Sequence, residues 1–186
     1  MEVDEIMLEA EERMGNAVEA LHNAFGSVRT GRASSKVLDR IKVDYYGAMT
    51  PINQLAGVKA PDAHLLVIEP WDKSSLKSIE RAIMESDLGV TPSNDGMVIR
   101  LPFPELTEER RRELVKLCKG YAEDARVSVR NARREANSQL AKAEKDGEIT
   151  EDDQSRGEKD VQKLTDKYIA KVEDAFKAKE AEVMEI

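Results

Sequence analysis

Apolar residues recur every three or four positions in three long segments of the chain, and this spacing predicts three amphipathic helices. The stripe of the first segment, residues 2–29, consists of Met7, Ala10, Met14, Ala17, Leu21, Ala24 and Val28. The stripe of the second consists of Leu114, Leu117, Tyr121, Ala125, Ala132, Ala136 and Leu140. The stripe of the third consists of Val161, Leu164, Tyr168, Val172, Ala175 and Val183, with Ile169 and Phe176 beside it. Because one stripe cannot be buried alone, we expect a three-helix bundle.

Capping residues set the expected helix ends. Thr107 is a good N-cap for the second helix, which should end at Asp146-Gly147. Thr150 with Asp153 resembles a capping box that starts the third helix. The first helix should end near Gly31, since glycine ends a helix at low cost.

The pattern changes between residues 31 and 105, where short β-like runs replace the long helical stripes. Residues 41–45 alternate like a half-buried strand, residues 65–68 resemble a covered strand, and residues 97–101 predict another strand. A short helix should start at Ser74 or Ser75 and end before Gly89. About 75 residues of this texture are enough for a modest core of their own.

The predicted fold class is therefore α+β with two domains, an elongated three-helix bundle and a small, β-rich α/β domain inserted after the first helix. The bundle would comprise residues 1–30 and 106–186, and the small domain residues 31–105. Two chain crossings would form a hinge between them. Its predicted residues are Thr30, Gly31, Arg32, Pro102, Pro104 and Glu105. Because two short crossings permit bending, we expect the domains to move.

Charge distinguishes the second helix from the rest of the chain. Eleven Lys and Arg residues accompany five Asp and Glu residues between positions 110 and 145, although the whole chain carries a net charge of −8. A cationic row should run along this helix, opposite its apolar stripe. The row consists of Arg112, Lys116, Lys119, Arg126, Arg130, Arg133 and Arg134. A polyanionic partner explains such a row, and so does a solubilising face built from good helix formers, with Glu123 interrupting it.

The motifs of common enzyme classes are missing from the sequence. It contains neither a Walker loop nor a dinucleotide-binding glycine motif nor Gly-x-Ser-x-Gly. Two histidines, His22 and His64, and one cysteine, Cys118, are too few for Cys/His zinc sites. We interpret Cys118 as a core residue rather than a reactive thiol. We therefore expect no enzyme activity, no cofactor and no metal.

Several other residues allow two interpretations. Glu151-Asp152-Asp153 fits a charged helix start better than a metal site. Glu69, Asp72 and Asp87 could form a catalytic set, but we interpret them as solvated surface carboxylates. Trp71 could contact a partner, but we favour a lid over the small core.

Three features of the sequence bear on the expected cellular location. No apolar run approaches the roughly 20 residues that span a membrane. The acidic start lacks the cations of a signal or transit peptide. A single cysteine permits no internal disulfide, so a reducing cytoplasm is the simplest expectation.

Several ordered motifs along nearly the whole chain resemble the bacterial ribosome recycling factor family. They are Arg29-Thr30-Gly31-Arg32-Ala33, Asp44-Tyr45-Tyr46-Gly47, Thr50-Pro51, Gln54-Leu55, Ser86-Asp87-Leu88-Gly89 with Pro92, Leu106-Thr107-Glu108-Glu109-Arg110-Arg111, and Val129-Arg130-Asn131 with Arg133-Arg134 and Ala136-Asn137. Glu135 departs from the Asp that is common in the family.

The resemblance implies a function after translation termination. Such factors, with elongation factor G and GTP, split the ribosome into subunits, and the bundle lies against ribosomal RNA of the large subunit. The small domain swings and meets elongation factor G. We expect a monomer that works by this mechanism. The alternatives are a helical RNA-binding adaptor without recycling activity and a hydrolase, for which the sequence offers no nucleophile–base pair.

The resemblance and side-chain chemistry together suggest the residues that contact RNA. Arg133 is the principal candidate, with Arg130 and Arg134 beside it, because guanidinium groups fork onto phosphates and stack on bases. Arg126, Arg112, Lys116 and Lys119 would extend the surface. Asn131 and Asn137 could bind RNA or cap neighbouring helices, and Arg29 could bind RNA or join the domains.

Overall fold

The computed structural model describes residues 2–185, which form four α-helices and six β-strands. The helices are α1 (Val3–Gly26), α2 (Leu76–Glu85), α3 (Glu108–Lys145) and α4 (Glu151–Met184). The strands are β1 (Lys42–Tyr45), β2 (Ala48–Pro51), β3 (Ala56–Asp62), β4 (Leu65–Pro70), β5 (Ser93–Asn94) and β6 (Ile99–Pro102). Residues 1 and 186, the ends of the predicted bundle, lie outside the described residues.

The chain divides into two compact units. The helical unit contains the residues up to Phe25 and Lys116–Ala181. The mixed unit contains Gly26–Val115 and the residues from Glu182 onward. The division passes through α3, about ten residues beyond the boundary predicted from the sequence; the assignment of the ranges 1–30, 31–105 and 106–186 to domains stays a prediction.

The core of the helical unit joins all three of its helices. Ile6 and Ala10 of α1 pack with Ala136 and Leu140 of α3 and with Val161 of α4. A polar contact also links α4 to α1, because the Tyr168 hydroxyl donates a hydrogen bond to Glu11 Oε1 at 3.3 Å. The three predicted stripes therefore meet in one core.

The predicted caps of the long helices are confirmed. The Thr107 hydroxyl accepts a hydrogen bond from the Arg110 N–H at 3.1 Å at the start of α3. Thr150 and Asp153 bond reciprocally, each side chain accepting from the other residue's N–H at 3.0 and 3.2 Å. Gly147, with φ of 73°, follows the end of α3. These bonds satisfy amide groups that the first helical turns leave without partners.

Two details of the predicted helices are wrong. Helix α1 ends at Gly26, before the predicted end between residues 29 and 31, and Val28 and Arg29 are buried within the mixed unit. Leu117 is 45% exposed rather than in the core. Its neighbour Cys118 is fully buried, as predicted, and takes the core position one residue later.

The mixed unit contains a hairpin and a four-stranded sheet. Strands β1 and β2 pair antiparallel, and the sheet has the antiparallel order β3-β4-β6-β5. The hairpin turns at Tyr46 and Gly47, both with positive φ, at 50° and 85°. Two such residues give the turn a twist that matches the paired strands. The three strands predicted from the sequence are β1, β4 and β6, and the predicted short helix is α2.

The core of the mixed unit lies between α2, the sheet and the hairpin. Its fully buried members include Val43 of β1, Ile68 of β4, Ile79 of α2 and Leu101 of β6, with Phe103 beyond the last strand. The predicted class, an α+β chain with a helical bundle and a small β-containing domain, is confirmed.

Candidate nucleic-acid interface

The arginine face of α3 comprises Arg126, Arg130, Arg133 and Arg134, and all four lie within the helical unit. The apolar stripe predicted for this helix is largely buried, at Leu114, Ala125, Ala132, Ala136 and Leu140. The arginines do not stand directly opposite that core. Two of them reach side chains of α4, so the face runs along the junction between α3 and α4.

Arg126 is the most enclosed member of the arginine face. Its side chain is 20% exposed, and it forms ion pairs with Glu173 of α4 at 2.5 Å and Glu123 at 2.8 Å. The hydrogen bond to Glu173 raises the pKa of Arg126 and lowers that of the Glu173 carboxyl. Arg126 therefore joins α3 to α4, with its charge largely balanced inside the protein.

Arg130, Arg133 and Arg134 keep more of their charge for an external partner. Arg133 reaches only a neutral group, the Gln162 Oε1 at 3.4 Å, and Arg134 bonds the Asn131 Oδ1 at 3.1 Å. Arg130 lies 3.7 Å from Glu123, with 42% of its side chain exposed. Neutral or distant contacts orient a guanidinium without cancelling its charge. The structure thus presents three cations that can donate to phosphate oxygens.

The two asparagines beside these arginines differ in environment. Asn131 is exposed, and its amide oxygen accepts the hydrogen bond from Arg134. Asn137 is half-buried, and its Oδ1 has no hydrogen-bond partner among residues 2–185. Asn131 therefore orients a cation.

The remaining cations of the predicted row lie nearer the start of α3. Arg112 pairs with Glu108 at 2.7 Å, and both side chains are exposed. Lys116 and Lys119 are exposed and form no ion pair within the described part of the chain. Arg112 belongs to the mixed unit, whereas the two lysines belong to the helical unit.

Arg29 lies inside the mixed unit rather than on an open surface. It is 8% exposed, donates a hydrogen bond to the Pro104 carbonyl and lies 5.5 Å from the centre of the Phe103 ring. Burial, together with repulsion from Arg110, lowers its pKa. These contacts give Arg29 a structural role in linking residues 29 and 103–104 within one unit.

The other predicted hinge residues lie close to Arg29 or Pro104 in the sequence. Thr30 is buried, and its hydroxyl accepts from the Arg32 N–H at 3.3 Å. A Cβ built at Gly31 would meet no atom within 4 Å. Pro102 ends β6, and Glu105 is exposed. Their assignment as a hinge stays a prediction.

Trp71 contradicts the lid prediction. Its side chain is 69% exposed, and it lies beside Gly57, where an added Cβ would be 3.9 Å from the indole Nε1. Burial alternates along β4, with Leu66, Ile68 and Pro70 buried, so the next residue points to solvent. Because residues 65–68 are all apolar, the sequence does not show this alternation, and the exposure of Trp71 required the structure.

Two of the acidic residues considered for chemistry, Asp72 and Asp153, serve local structure. Asp72 accepts from the Ser74 N–H at 3.0 Å, the Ser74 hydroxyl at 2.7 Å and the Tyr45 hydroxyl at 3.1 Å. These bonds, those from Ser74 first, lower its pKa. Asp153 belongs to the capping box at the start of α4. Within residues 2–185, no group of three His, Cys, Asp or Glu side chains is arranged to hold a metal ion.

A second group of cations was missed in the sequence. The α4 cation row consists of Arg156, Lys159, Lys163, Lys167 and Lys171, all exposed. Their spacing of three or four residues is visible in the sequence, although the third helix was analysed only for its apolar stripe. In the described part of the chain, none of the helices is long and apolar enough to cross a membrane.

The sequence matches one family model, described as "Ribosome recycling factor", over residues 21–184. A ribosome-recycling factor of Oleidesulfovibrio alaskensis is 58% identical over 184 residues, which cover 99% of this chain and 100% of the relative. A ribosome-recycling factor of Halalkalibacterium halodurans is 59% identical over 182 residues, 98% of each chain.

Solved structures give the same result. A solution structure of the ribosome recycling factor superposes with a TM-score of 0.77 at 44% identity, covering 100% of this chain and 99% of that one. A second match has a TM-score of 0.67 at 44% identity and covers 99% and 100%. It belongs to a set of models for the T. thermophilus ribosome recycling factor and the E. coli elongation factor G bound to the E. coli post-termination complex.

Proposed function

Because this chain belongs to the ribosome recycling factor family, we propose that it binds ribosomes after termination and, with elongation factor G and GTP, splits them into subunits. The family consists of non-enzymatic translation factors, so the protein works by binding and movement while the partner hydrolyses GTP. Since bacterial ribosomes lie in the cytoplasm, that is where the protein acts. The predicted monomeric state stays a prediction.

The observation that carries the proposed RNA contact is the outward charge of Arg130, Arg133 and Arg134. Each guanidinium is oriented by a neutral or distant group, and none has a carboxylate within 3.5 Å in the described structure. Backbone phosphates of ribosomal RNA in the large subunit supply the missing anions. Lys116 and Lys119 extend this surface along α3. Arg126 supports it by holding α3 against α4.

The mixed unit is the part that we propose meets elongation factor G. In the second solved structure, a related recycling factor and elongation factor G are bound to one post-termination complex. We propose that Thr30, Gly31, Arg32, Pro102, Pro104 and Glu105 form the hinge that lets this unit move while the helical unit stays on the ribosome.

Subunit splitting followed by light scattering tests the proposal. Post-termination ribosomes are mixed with the protein, elongation factor G and GTP, and each component is omitted in turn. We expect splitting only when all components are present. Arg133→Ala should abolish or strongly slow splitting, because it removes a cation from the centre of the proposed RNA surface.

Arg13→Ala is the matched control, because Arg13 is an exposed arginine of α1 in the same helical unit and lies outside the predicted cationic row. Circular dichroism should show intact helices in both variants. Splitting that proceeds without elongation factor G would refute the proposed mechanism. Tight ribosome binding without splitting, with a cognate elongation factor present, would instead support the adaptor alternative.

A further inference from the structure

The α4 cation row is a line of exposed positive charges along one side of α4 in the helical unit. Its five members, Arg156, Lys159, Lys163, Lys167 and Lys171, are separated by three or four residues, so they share one side of α4. At 1.5 Å per residue the row is about 22 Å long. The row is therefore a regular surface and not a scatter of single charges.

Three lysines of the row are not neutralised. Lys159, Lys163 and Lys171 have no ion pair among the described residues, whereas Arg156 pairs with Asp153 at 2.6 Å and Lys167 lies 3.9 Å from Glu11. Three carboxylates occur within the same stretch of α4. Two of them, Glu158 and Asp166, accept hydrogen bonds from neutral amides, those of Gln154 at 3.2 Å and Gln162 at 2.9 Å. Asp160, the third, is exposed on the row itself.

The row lies on the helix that the arginine face of α3 contacts. Gln162, which lies 3.4 Å from an Arg133 Nη1, is next to Lys163 in the sequence and one helical turn from Lys159. All of these residues belong to the helical unit. The arginines of α3 and the lysines of α4 therefore lie on two helices that contact each other within one unit.

The chemistry of the row fits the phosphate backbone better than base edges. The aromatic residue of this stretch, Tyr168, is buried, with Lys171 Nζ 4.7 Å and Lys167 Nζ 5.6 Å from its ring centre. It offers no open ring on which a base could stack. Lysine acts as a flexible point charge that contacts phosphates without reading sequence.

We propose that the α4 cation row is a second RNA contact, in which Lys159, Lys163 and Lys171 bind backbone phosphates of the large ribosomal subunit beside the strand bound by α3. This inference rests on the proposed function, since it takes the ribosome as the partner. It adds an interaction surface on a different helix. Arg156 precedes the three lysines and pairs with Asp153, and Lys167 lies between Lys163 and Lys171, 3.9 Å from Glu11.

The test measures binding to purified large ribosomal subunits at several salt concentrations. The row variant combines Lys159→Gln, Lys163→Gln and Lys171→Gln, since glutamine keeps length and helix propensity. The control variant combines Lys42→Gln, Lys59→Gln and Lys77→Gln, which removes the same charge from exposed positions of the mixed unit. Circular dichroism and thermal unfolding check that both variants are folded.

We expect the row variant to bind about tenfold or more weakly near physiological salt, with the slope of log K against log salt reduced by about two. The control variant should retain nearly the wild-type slope. A variant with arginine at the three row positions should retain binding. Equal losses in the row and control variants would overturn the proposal, since general charge would then explain both. Weaker binding with an unchanged salt slope would overturn it too, by indicating contact with a ribosomal protein.

Arg133→Ala in the same assay separates the two proposals. If Arg133→Ala weakens binding and the row variant does not, the α4 contact is wrong while the proposed function stands. If the row variant loses binding and Arg133→Ala does not, the α3 assignment is wrong and the α4 contact stands.

Discussion

The arginines of α3 lie on one face of the helix but differ in what surrounds each guanidinium. Arg126 is held by two carboxylates, whereas Arg133 contacts a neutral amide oxygen. Their spacing in the sequence places Arg126 and Arg133 on the same face of the helix. It does not show that Glu173, 47 residues from Arg126, neutralises Arg126. These contacts thus divide the row into a structural member, Arg126, and members that we propose bind RNA.

Arg29 provides a prediction about stability. Its guanidinium donates to the Pro104 carbonyl and lies against the Phe103 ring inside the mixed unit. Arg29→Met leaves that carbonyl without its charged donor and should cost about 1–3 kcal/mol of unfolding free energy. Chemical denaturation, followed by a probe in the mixed unit, measures this loss.

Arg32→Met is the control for Arg29, because Arg32 is exposed. It should change the unfolding free energy by less than about 0.5 kcal/mol. Equal effects of the two substitutions would show that the contacts of Arg29 contribute nothing specific.

Asp95 gives a pH-dependent prediction. Its carboxylate accepts hydrogen bonds from the N–H groups of Val98 and Met97 and from Arg100, which lower its pKa from 3.8 to about 2. Because the folded pKa is the lower one, the stabilisation is present above 3.8 and is lost as the pH falls through about 2. Asp95→Asn should therefore be less stable than wild type at pH 5, and the difference should shrink towards pH 2.

Urea unfolding of both proteins across this pH range measures the difference, and an NMR titration of the Asp95 carboxyl measures its pKa directly. A difference that stays constant from pH 5 to pH 2 would contradict the assignment.

At the scale of elements, α3 and α4 approach closely at Gly157. A Cβ at this position would lie 2.9 and 3.0 Å from the two Leu140 methyl groups, and Leu140 is fully buried. Gly157→Ala should therefore cost about 1–3 kcal/mol, because Leu140 must shift within a packed core. Thermal or denaturant unfolding measures the change.

Gly120 of α3 is the matched control, since an added Cβ there meets no atom within 4 Å. Gly120→Ala should stabilise the protein by about 0.4–1 kcal/mol through a less flexible unfolded chain. If both alanine variants were stabilised alike, the close approach of the two helices would be of no energetic importance.

The elements themselves were largely predictable, because their signals are local. Thr107, Thr150 and Asp153 make their capping bonds with residues at most three positions away, and the sequence shows such partners directly. Leu117 was misplaced because it and Cys118 both continue a three-or-four spacing from Leu114. With a period of 3.6 residues, either neighbour can continue the stripe of a long helix. Which of the two is buried depends on how the partner helices pack.

Contacts that are distant in sequence could not be predicted. The burial of Arg29 depends on Pro104, 75 residues later. The junction of Arg133 with Gln162 depends on how α3 and α4 pack. The candidate RNA surface was therefore predicted as a row on one helix, whereas the contact of that row with Gln162 of α4 required the structure.

At the scale of the whole molecule, the proposed mechanism depends on movement at the predicted hinge. Gly31 has open space around a built Cβ, so Gly31→Ala is sterically tolerated but restricts the backbone. If movement at this crossing drives splitting, Gly31→Ala should bind ribosomes as wild type does and split them several-fold more slowly. Light scattering gives the splitting rate, and subunit binding gives the affinity.

Gly120→Ala again serves as the comparison, because it makes the same chemical change within a helix. Wild-type splitting by Gly31→Ala would argue against a hinge at this position. Loss of binding together with splitting would indicate damage to the fold instead.

The burial of Cys118 has a practical consequence. It is the only sulfhydryl of the chain and it is fully buried in α3, so thiol-reactive dyes should leave the native protein almost unlabelled. Fluorophore pairs can therefore be attached to cysteines introduced at exposed sites of the two units without first removing the natural one. The rate at which Cys118 itself reacts with such a dye should then report how often the helices around it open transiently.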